Sequence, residues 1–167
     1  RAAKVIRKPP GVSHDDAAGV LFGGTTALYF PRDKASVVPG MRVLAPSSAE
    51  DLQAMLHDAI GVADDGPVVI RWPRGAAVHA GEHEVGVGLL ARKAREGDGS
   101  VCFLAVGKML ADAQRAAEML AEDGVSATVW DVRSCQPLDP AMIADAARHR
   151  VVVTCEDGIR DGGIGMA

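Results

Sequence analysis

The sequence predicts an α/β fold: a largely parallel sheet flanked by helices, preceded by a β-α-β unit. Three observations carry this. Short apolar runs (MRVLA, PVVIRW, VCFLAV, SATVWDV, RVVVTCE) alternate with segments of helical period, and such alternation builds parallel crossover units. The chain has 167 residues, one domain's worth or two small pieces. Apolar residues make up 48% and aromatics only 4%, so the core must be built from Ala, Val, Leu and Ile.

Composition also narrows the function classes. With 18 basic and 22 acidic residues the net charge is −4, which gives no electrostatic reason to expect nucleic acid. No apolar run approaches the roughly 18–20 residues of a membrane span, and no signal-peptide pattern opens the sequence. A cytoplasmic protein without membrane contact is the expectation. The three cysteines (Cys102, Cys135, Cys155) lack a CxxC pair, so neither a disulfide framework nor a zinc site is signalled.

Residues 1–40 read as an irregular N-terminal segment. Arg1, Lys4, Arg7 and Lys8 precede any acid and end at Pro9-Pro10, a solvated terminus rather than a binding arm. GVLFGGTTALYF is a strand pair around Gly23-Gly24 or a strand leading into a turn. From Met41 the signals sharpen. MRVLA is a short buried strand stopped by Pro46. Ser47 and Glu50 have capping-box spacing, so a helix starts near Ser48. Leu52, Met55, Leu56, Ala59, Ile60 and Ala63 paint one face of it. Asp64-Asp65-Gly66-Pro67 ends that helix, and PVVIRW is the next strand, apolar and covered on both faces.

Residues 76–98 form a linker with one strand, about Gly88–Lys93. VCFLAV opens the second unit, and Leu110, Ala113, Ala117 and Leu120 mark the buried stripe of a helix over about 109–122. Gly124 closes it as a left-handed cap. SATVWDV is a strand, and Asp139-Pro140 is an N-cap with Pro at the first helical position, the helix running to about His149. RVVVTCE is the last strand. DGGIGMA should lead into a further helix, so the domain over 99–167 reads as truncated.

Several motifs have competing readings. Gly97-Asp98-Gly99 opens the metal–diphosphate motif of thiamine diphosphate enzymes, but the sequence contains no Asn to complete it. Between two strand-like runs, Asp-Gly reads instead as a hairpin turn. Gly162-Gly163-Ile164-Gly165 misses the GxGxxG spacing and reads as a turn packed closely on the sheet. His79 and His83, flanked by Glu82 and Glu84, have one-turn spacing, but no helical periodicity holds them on one face for a metal. His57, beside a helix stripe, and His149, at a helix end where a cation suits the dipole, read as structural. Cys102 and Cys155 fall in apolar strands and read as inert buried thiols, Cys135 in a loop. Arg71-Trp72-Pro73-Arg74-Gly75 follows a parallel strand, where open α/β sheets place ligands. Its two guanidinium groups suit a phosphate or carboxylate, or else a surface salt bridge.

VVPGMRVLAPSSAEDLQAML followed by DDGPVVIRWPRG resembles the end of the pyrimidine-binding domain in the 1-deoxy-D-xylulose-5-phosphate synthase family of transketolase-like enzymes. VCFLAVGKMLADAQRAAEMLAEDGVSATVWDVRSCQPLD and VVVTCEDGIRDGGIG are similar to the carboxy-terminal transketolase domain of that family, so the resemblance covers 37–167. Beta subunits of the 2-ketoacid dehydrogenases share Asp131, Arg133 and Pro137-Leu138-Asp139 in outline, whereas Trp72 to Gly75 points to the synthase.

The resemblance implies a division into 1–40, the end of a pyrimidine-binding domain at 41–75, a linker at 76–98 and a truncated transketolase C-terminal domain at 99–167. It implies a reaction in which thiamine diphosphate with Mg2+ attacks pyruvate, CO2 leaves, and the carbanion adds to glyceraldehyde 3-phosphate, toward isoprenoid and thiamine precursors. By the same resemblance Arg74 would bind the aldehyde's phosphate. Gly11-Val12-Ser13-His14 echoes a family Asp-Gly-x-Ser/Thr-His loop, which would make His14 a second phosphate ligand. The diphosphate-binding domain and the cofactor-activating glutamate have no counterpart here. The expectation is a chain that binds neither cofactor nor metal alone and acts as a homodimer or with the missing domain. A non-catalytic assembly module and a 2-ketoacid dehydrogenase beta subunit are the alternatives.

Overall fold

The computed structural model describes residues 40–62, 66–73, 75–158 and 163–166. The expected strand pair around Gly23-Gly24 lies outside the described residues. Arg42–Leu44 forms β1, Ala49–Val62 α1 and Val68–Ile70 β2. β1 and β2 run parallel with Arg42 opposite Val68 and Leu44 opposite Ile70, the expected crossover unit. β2 is an edge strand, so its apolar residues are half-buried rather than covered on both faces.

The cap of α1 differs from the expected one. Ser48, not Ser47, is the N-cap, its Oγ accepting the Asp51 amide at 3.0 Å. Glu50 instead holds the segment that follows β2, accepting from the His79 ring at 2.8 Å and the Ala80 amide at 2.9 Å. The inward face of α1 also differs. Met55 and Asp51 have no exposed surface, while Leu56 is 51% exposed. A charged residue is drawn in because it meets a buried cation from another element.

The linker strand is Arg92–Arg95 (β3), later than expected. Val101–Ala105 (β4), Met109–Glu122 (α2), Thr128–Asp131 (β5), Ser134–Gln136 (β6), Pro140–Ala146 (α3) and Val151–Cys155 (β7) follow. Two sheets result, β2-β1-β6 and β3-β5-β4-β7. β4 pairs in parallel with both β5 and β7, while β3 and β6 each join antiparallel. β5 separates β3 from β4, so Gly97-Asp98-Gly99 connects non-adjacent strands and no hairpin forms. Asp98 still shapes the turn, accepting the amides of Ser100 (2.9 Å) and Ser126 (3.4 Å). A Cβ at Gly97 would fall 2.3 Å from the Ser126 carbonyl oxygen, so the backbone crosses too closely there for a side chain.

The larger sheet is packed on both faces. Leu110, Ala113 and Ala117 of α2 are buried against Phe103, Ala105 and Val129, with Leu120 half-buried beside them. Alanines on this stripe let the helix approach the strands closely. Met142 and Ala146 of α3 close the other face over Cys102, Leu104 and Trp130. Asp139 caps α3 as expected, accepting the Ala141 amide at 2.8 Å ahead of Pro140. That helix ends at Ala146, short of His149. Both ring nitrogens of His149 are engaged: its Nδ1 lies 2.9 Å from the Asp145 carbonyl oxygen and its Nε2 2.9 Å from Thr128 Oγ1. Cys135, expected in a loop, is the middle residue of β6.

Candidate functional site

A cleft of about 340 Å³ opens where the segments leaving the carboxyl ends of β1, β2, β4 and β7 meet. Each enters for a local reason. The Arg71 amide donates to the Leu44 carbonyl at 2.8 Å, extending the β1–β2 pairing by one residue before Trp72-Pro73 turns away. Trp72 is left 60% exposed at the cleft. The Val106 amide donates to the Cys155 carbonyl at 2.9 Å, carrying the β4–β7 ladder to the cleft floor. Gly107 follows with φ +56, and a Cβ there would lie 3.2 Å from the Pro46 carbonyl oxygen. The left-handed turn and the tight approach together make this a glycine position.

One carboxylate joins three of these segments. Asp157, just past β7, receives Arg71 at 3.1 Å and Lys108 at 3.0 Å. The Lys108 bond, reinforced by the Arg71 charge, outweighs burial and holds the Asp157 carboxyl below the usual range. Arg71 and Lys108 share one carboxylate beside the exposed Trp72 indole. Arg71 thus makes the salt bridge that was one of its two readings.

Below the cleft the two sheets are locked by a buried polar hub. Arg133 sits between β5 and β6 with φ 55, a left-handed conformation rare for a side-chain-bearing residue, and has no exposed surface. Its Nε donates to Asp51 at 2.9 Å, and one guanidinium nitrogen donates to the carbonyls of Leu90 (2.7 Å) and Gly88 (3.2 Å). Gly86 is needed beside it, since a Cβ there would lie 2.4 Å from the guanidinium. Asp131 accepts from Ser47 Oγ at 2.6 Å, with Arg92 at 3.9 Å. Burial is the main reason its carboxyl is pushed up to about 6. Asp131 and Arg133 therefore join the sheets rather than face a ligand.

The remaining sequence candidates separate cleanly. Arg74 and His14 lie outside the described residues. His79 pairs with Glu50, which that bond holds down at about 2, and His83 lies on the short 3-10 turn Glu82–Glu84. Among the described residues, no three His, Cys, Asp or Glu side chains gather where a metal could sit. No described helix is long and apolar enough to cross a membrane. Burial pushes the thiols of Cys102 and Cys135 up to about 11, as inert thiols require. Gly163 and Gly165 pack as a turn against β7: a Cβ at Gly163 would strike the Glu156 carboxylate, and one at Gly165 would lie 2.6 Å from Thr154 Oγ1. Lys108 and Asp157 were not singled out from the sequence. The strand-end rule that selected Arg71 would have found both, since each lies within three residues of a strand's carboxyl end.

Residues 90–167 match the family described as transketolase, C-terminal domain. The 1-deoxy-D-xylulose-5-phosphate synthase of Anaeromyxobacter sp. (strain Fw109-5) is 46% identical over 136 residues, covering 78% of this chain and 21% of that one. The 1-deoxy-D-xylulose-5-phosphate synthase 1 of Kitasatospora griseola is 42% identical over 134 residues, covering 78% and 20%. The chain thus spans about a fifth of the length of the curated relatives it matches. Among solved structures, one described as split gene transketolase, inactive beta4 tetramer, superposes with TM-score 0.68 at 31% identity, covering 78% of this chain and 43% of that one. A transketolase from Pichia stipitis shares the fold, with TM-score 0.57 at 14% identity over 80% of this chain and 20% of its own. Over residues 90–167 the chain is thus similar in sequence to the transketolase C-terminal domain family, and its fold is that of the solved transketolases.

Proposed function

We propose that the chain is part of a 1-deoxy-D-xylulose-5-phosphate synthase, which condenses pyruvate with glyceraldehyde 3-phosphate with loss of CO2. On this reading residues 41–75 end a pyrimidine-binding domain, 76–98 link, and 99–167 belong to the carboxy-terminal domain. The observation that carries it is the Trp72-Pro73 exit from β2, which leads in the sequence to Arg74, beside the cleft where Asp157 gathers Arg71 and Lys108. Identity of 42–46% to enzymes of that name supports it. Arg74 would hold the aldehyde's phosphate. Arg71, anchored by Asp157, would set the path of the chain three residues before Arg74.

The residues present do not fit thiamine diphosphate and Mg2+. Asp98, in the one Gly-Asp-Gly, spends its carboxylate on Ser100 and Ser126, and the sequence has no Asn. When bound, the cofactor supplies the electron sink for pyruvate's carbanion; on this reading another polypeptide or domain holds it. The 31% identical neighbour described as an inactive beta4 tetramer of a split-gene transketolase supports a chain that acts only with a partner.

The test is reconstitution with the diphosphate-binding domain of a relative, followed by kinetics with each substrate varied separately. A lost charge-assisted bond costs about 1.5–3 kcal/mol. Arg74→Ala should therefore weaken use of glyceraldehyde 3-phosphate roughly 10- to 150-fold. Pyruvate decarboxylation should change far less, because pyruvate carries no phosphate. Arg74→Lys should recover only part, a point charge replacing a fork. Equal loss for both substrates would make Arg74 a structural residue and remove the assignment.

A further inference from the structure

The hub between the sheets faces no ligand in the cleft, yet its polar atoms are not all spent. Asp131 and Arg133 have no exposed surface. Three enclosed atoms there lack a hydrogen-bond partner among the described residues: Asp131 Oδ1, Arg133 Nη2 and Arg92 Nε. Buried polar atoms are nearly always satisfied, so three orphans in one cluster point to a small guest. The cluster is continuous. Arg92 stands across the sheet from Asp131, its Nη2 3.9 Å from Oδ2 and too far to bond. Ser47 ties Asp131 to Asp51, its hydroxyl donating to the first and its amide to the second at 3.4 Å, while Arg133 holds Asp51 from the other side. A cavity of about 70 Å³ opens beside the exposed His79 and ends on Ser47 and Arg92, giving a guest room and a way in.

Charge and donor count decide the guest. Arg92 and Arg133 bring two positive charges and Asp51 one negative. Ser47, ahead of α1, and Ala105, the β4 neighbour of Asp131, bring none. The cavity wall adds Glu84, engaged by the Gly81 amide, and the His79–Glu50 pair at its mouth. With Asp131 ionised, the inner cluster is neutral and offers Nε and Nη2 as donors and Oδ1 as acceptor, which suits water. With Oδ1 protonated, the cluster carries one net positive charge and offers three donors and no acceptor, which suits an anion. Burial favours that neutral acid, the Asp131 carboxyl being pushed up to about 6. We propose that Arg92, Asp131 and Arg133 form an internal site for one chloride-sized anion, taken up together with a proton from solvent on Asp131.

The test is urea unfolding of the 167-residue chain, followed by circular dichroism, in sodium chloride against sodium methanesulfonate, whose anion is too large to be enclosed. A site of about 0.1 M affinity raises the folding constant roughly tenfold at about 1 M chloride. That gain over methanesulfonate should appear at about pH 5 and vanish at about pH 8, where Asp131 is ionised. Asp131→Asn, neutral at every pH and carrying an amide donor, should keep the gain at about pH 8, where histidines are neutral and cannot supply it. Arg92→Gln should lose the gain at both pH values. Should Arg92→Gln not fold, Asp131→Asn decides alone. Equal stability in the two salts at the lower pH overturns the proposal and leaves water as the guest. A chloride gain that Asp131→Asn does not carry to the higher pH, or that Arg92→Gln retains, overturns it too.

Discussion

Replacing Arg133 with Met keeps the length and most of the volume of the side chain while removing its charge, so packing and charge can be told apart. The guanidinium is fully buried and donates to a fully buried carboxylate, Asp51, 2.9 Å away and 82 residues earlier. Removing one partner of such a pair costs about 3–5 kcal/mol, because the remaining charge is left without compensation. The carbonyls of Gly88 and Leu90 also lose their donor. Leu90 is exposed and Gly88 half-exposed, so water replaces much of that and the two add about 1 kcal/mol. The left-handed backbone at Arg133 is unaffected, since Met meets the same penalty there. Arg133→Met should therefore destabilise the chain by about 4–6 kcal/mol, comparable with the whole stability of many domains. Urea unfolding followed by tryptophan fluorescence measures it, Trp130 being buried on the neighbouring strand. Adding Asp51→Asn removes the stranded charge and should recover about half of the loss. A single-variant effect below about 1 kcal/mol, or no recovery in the double variant, would refute the claim that this pair joins the sheets.

Three further outcomes follow from the same geometry. Asp131 is raised from 3.8 to about 6, so its contribution is fully present below about pH 4 and is lost as pH rises through 6, by about 3 kcal/mol. Asp131→Asn, which keeps the neutral shape, should flatten that part of the stability curve, and identical pH profiles would refute the assignment. Asp145 has the opposite sign. Burial alone would raise it, but bonds from Arg148, Trp130 and Lys93 hold it well below the usual range. Its stabilisation is present above about pH 4 and is lost as pH falls further, so the stability lost in Trp130→Phe, measured by urea unfolding followed by circular dichroism, should be full at pH 7 and shrink as the pH falls below 4, and a loss independent of pH would refute the assignment. Gly107→Ala should cost about 1–2 kcal/mol from the left-handed backbone alone, with the Pro46 carbonyl forced back a few tenths of an ångström. Thermal unfolding checks this, and an unchanged midpoint would mean the cleft floor relaxes freely.

What the sequence determined by itself was everything written within one or two turns of chain. The α2 stripe of Leu110, Ala113 and Ala117, its left-handed Gly124, and the Asp139-Pro140 start of α3 are local signals, and the structure repeats them. The β1-α1-β2 crossover was equally legible, because strand, helix and return all lie within 42–70. Where two local signals competed, only tertiary structure could choose. Gly97-Asp98-Gly99 has hairpin chemistry, yet β5 takes the place between β3 and β4 because its apolar Val129 and Trp130 gain more burial in the sheet centre. Leu56 fitted the apolar stripe of α1, and Asp51 had no place in it. The structure reverses them, since the buried Arg133 selects the carboxylate from 82 residues away and Leu56 has no such partner. The cleft follows the same division. That Arg71 would stand at a strand end was readable, but that Asp157 would meet it, 86 residues later, depended on β4 pairing with β7. Hydrophobic period and capping are properties of neighbours along the chain. Ion-pair choice and strand order are set by which distant surfaces bury together, and no local pattern encodes that.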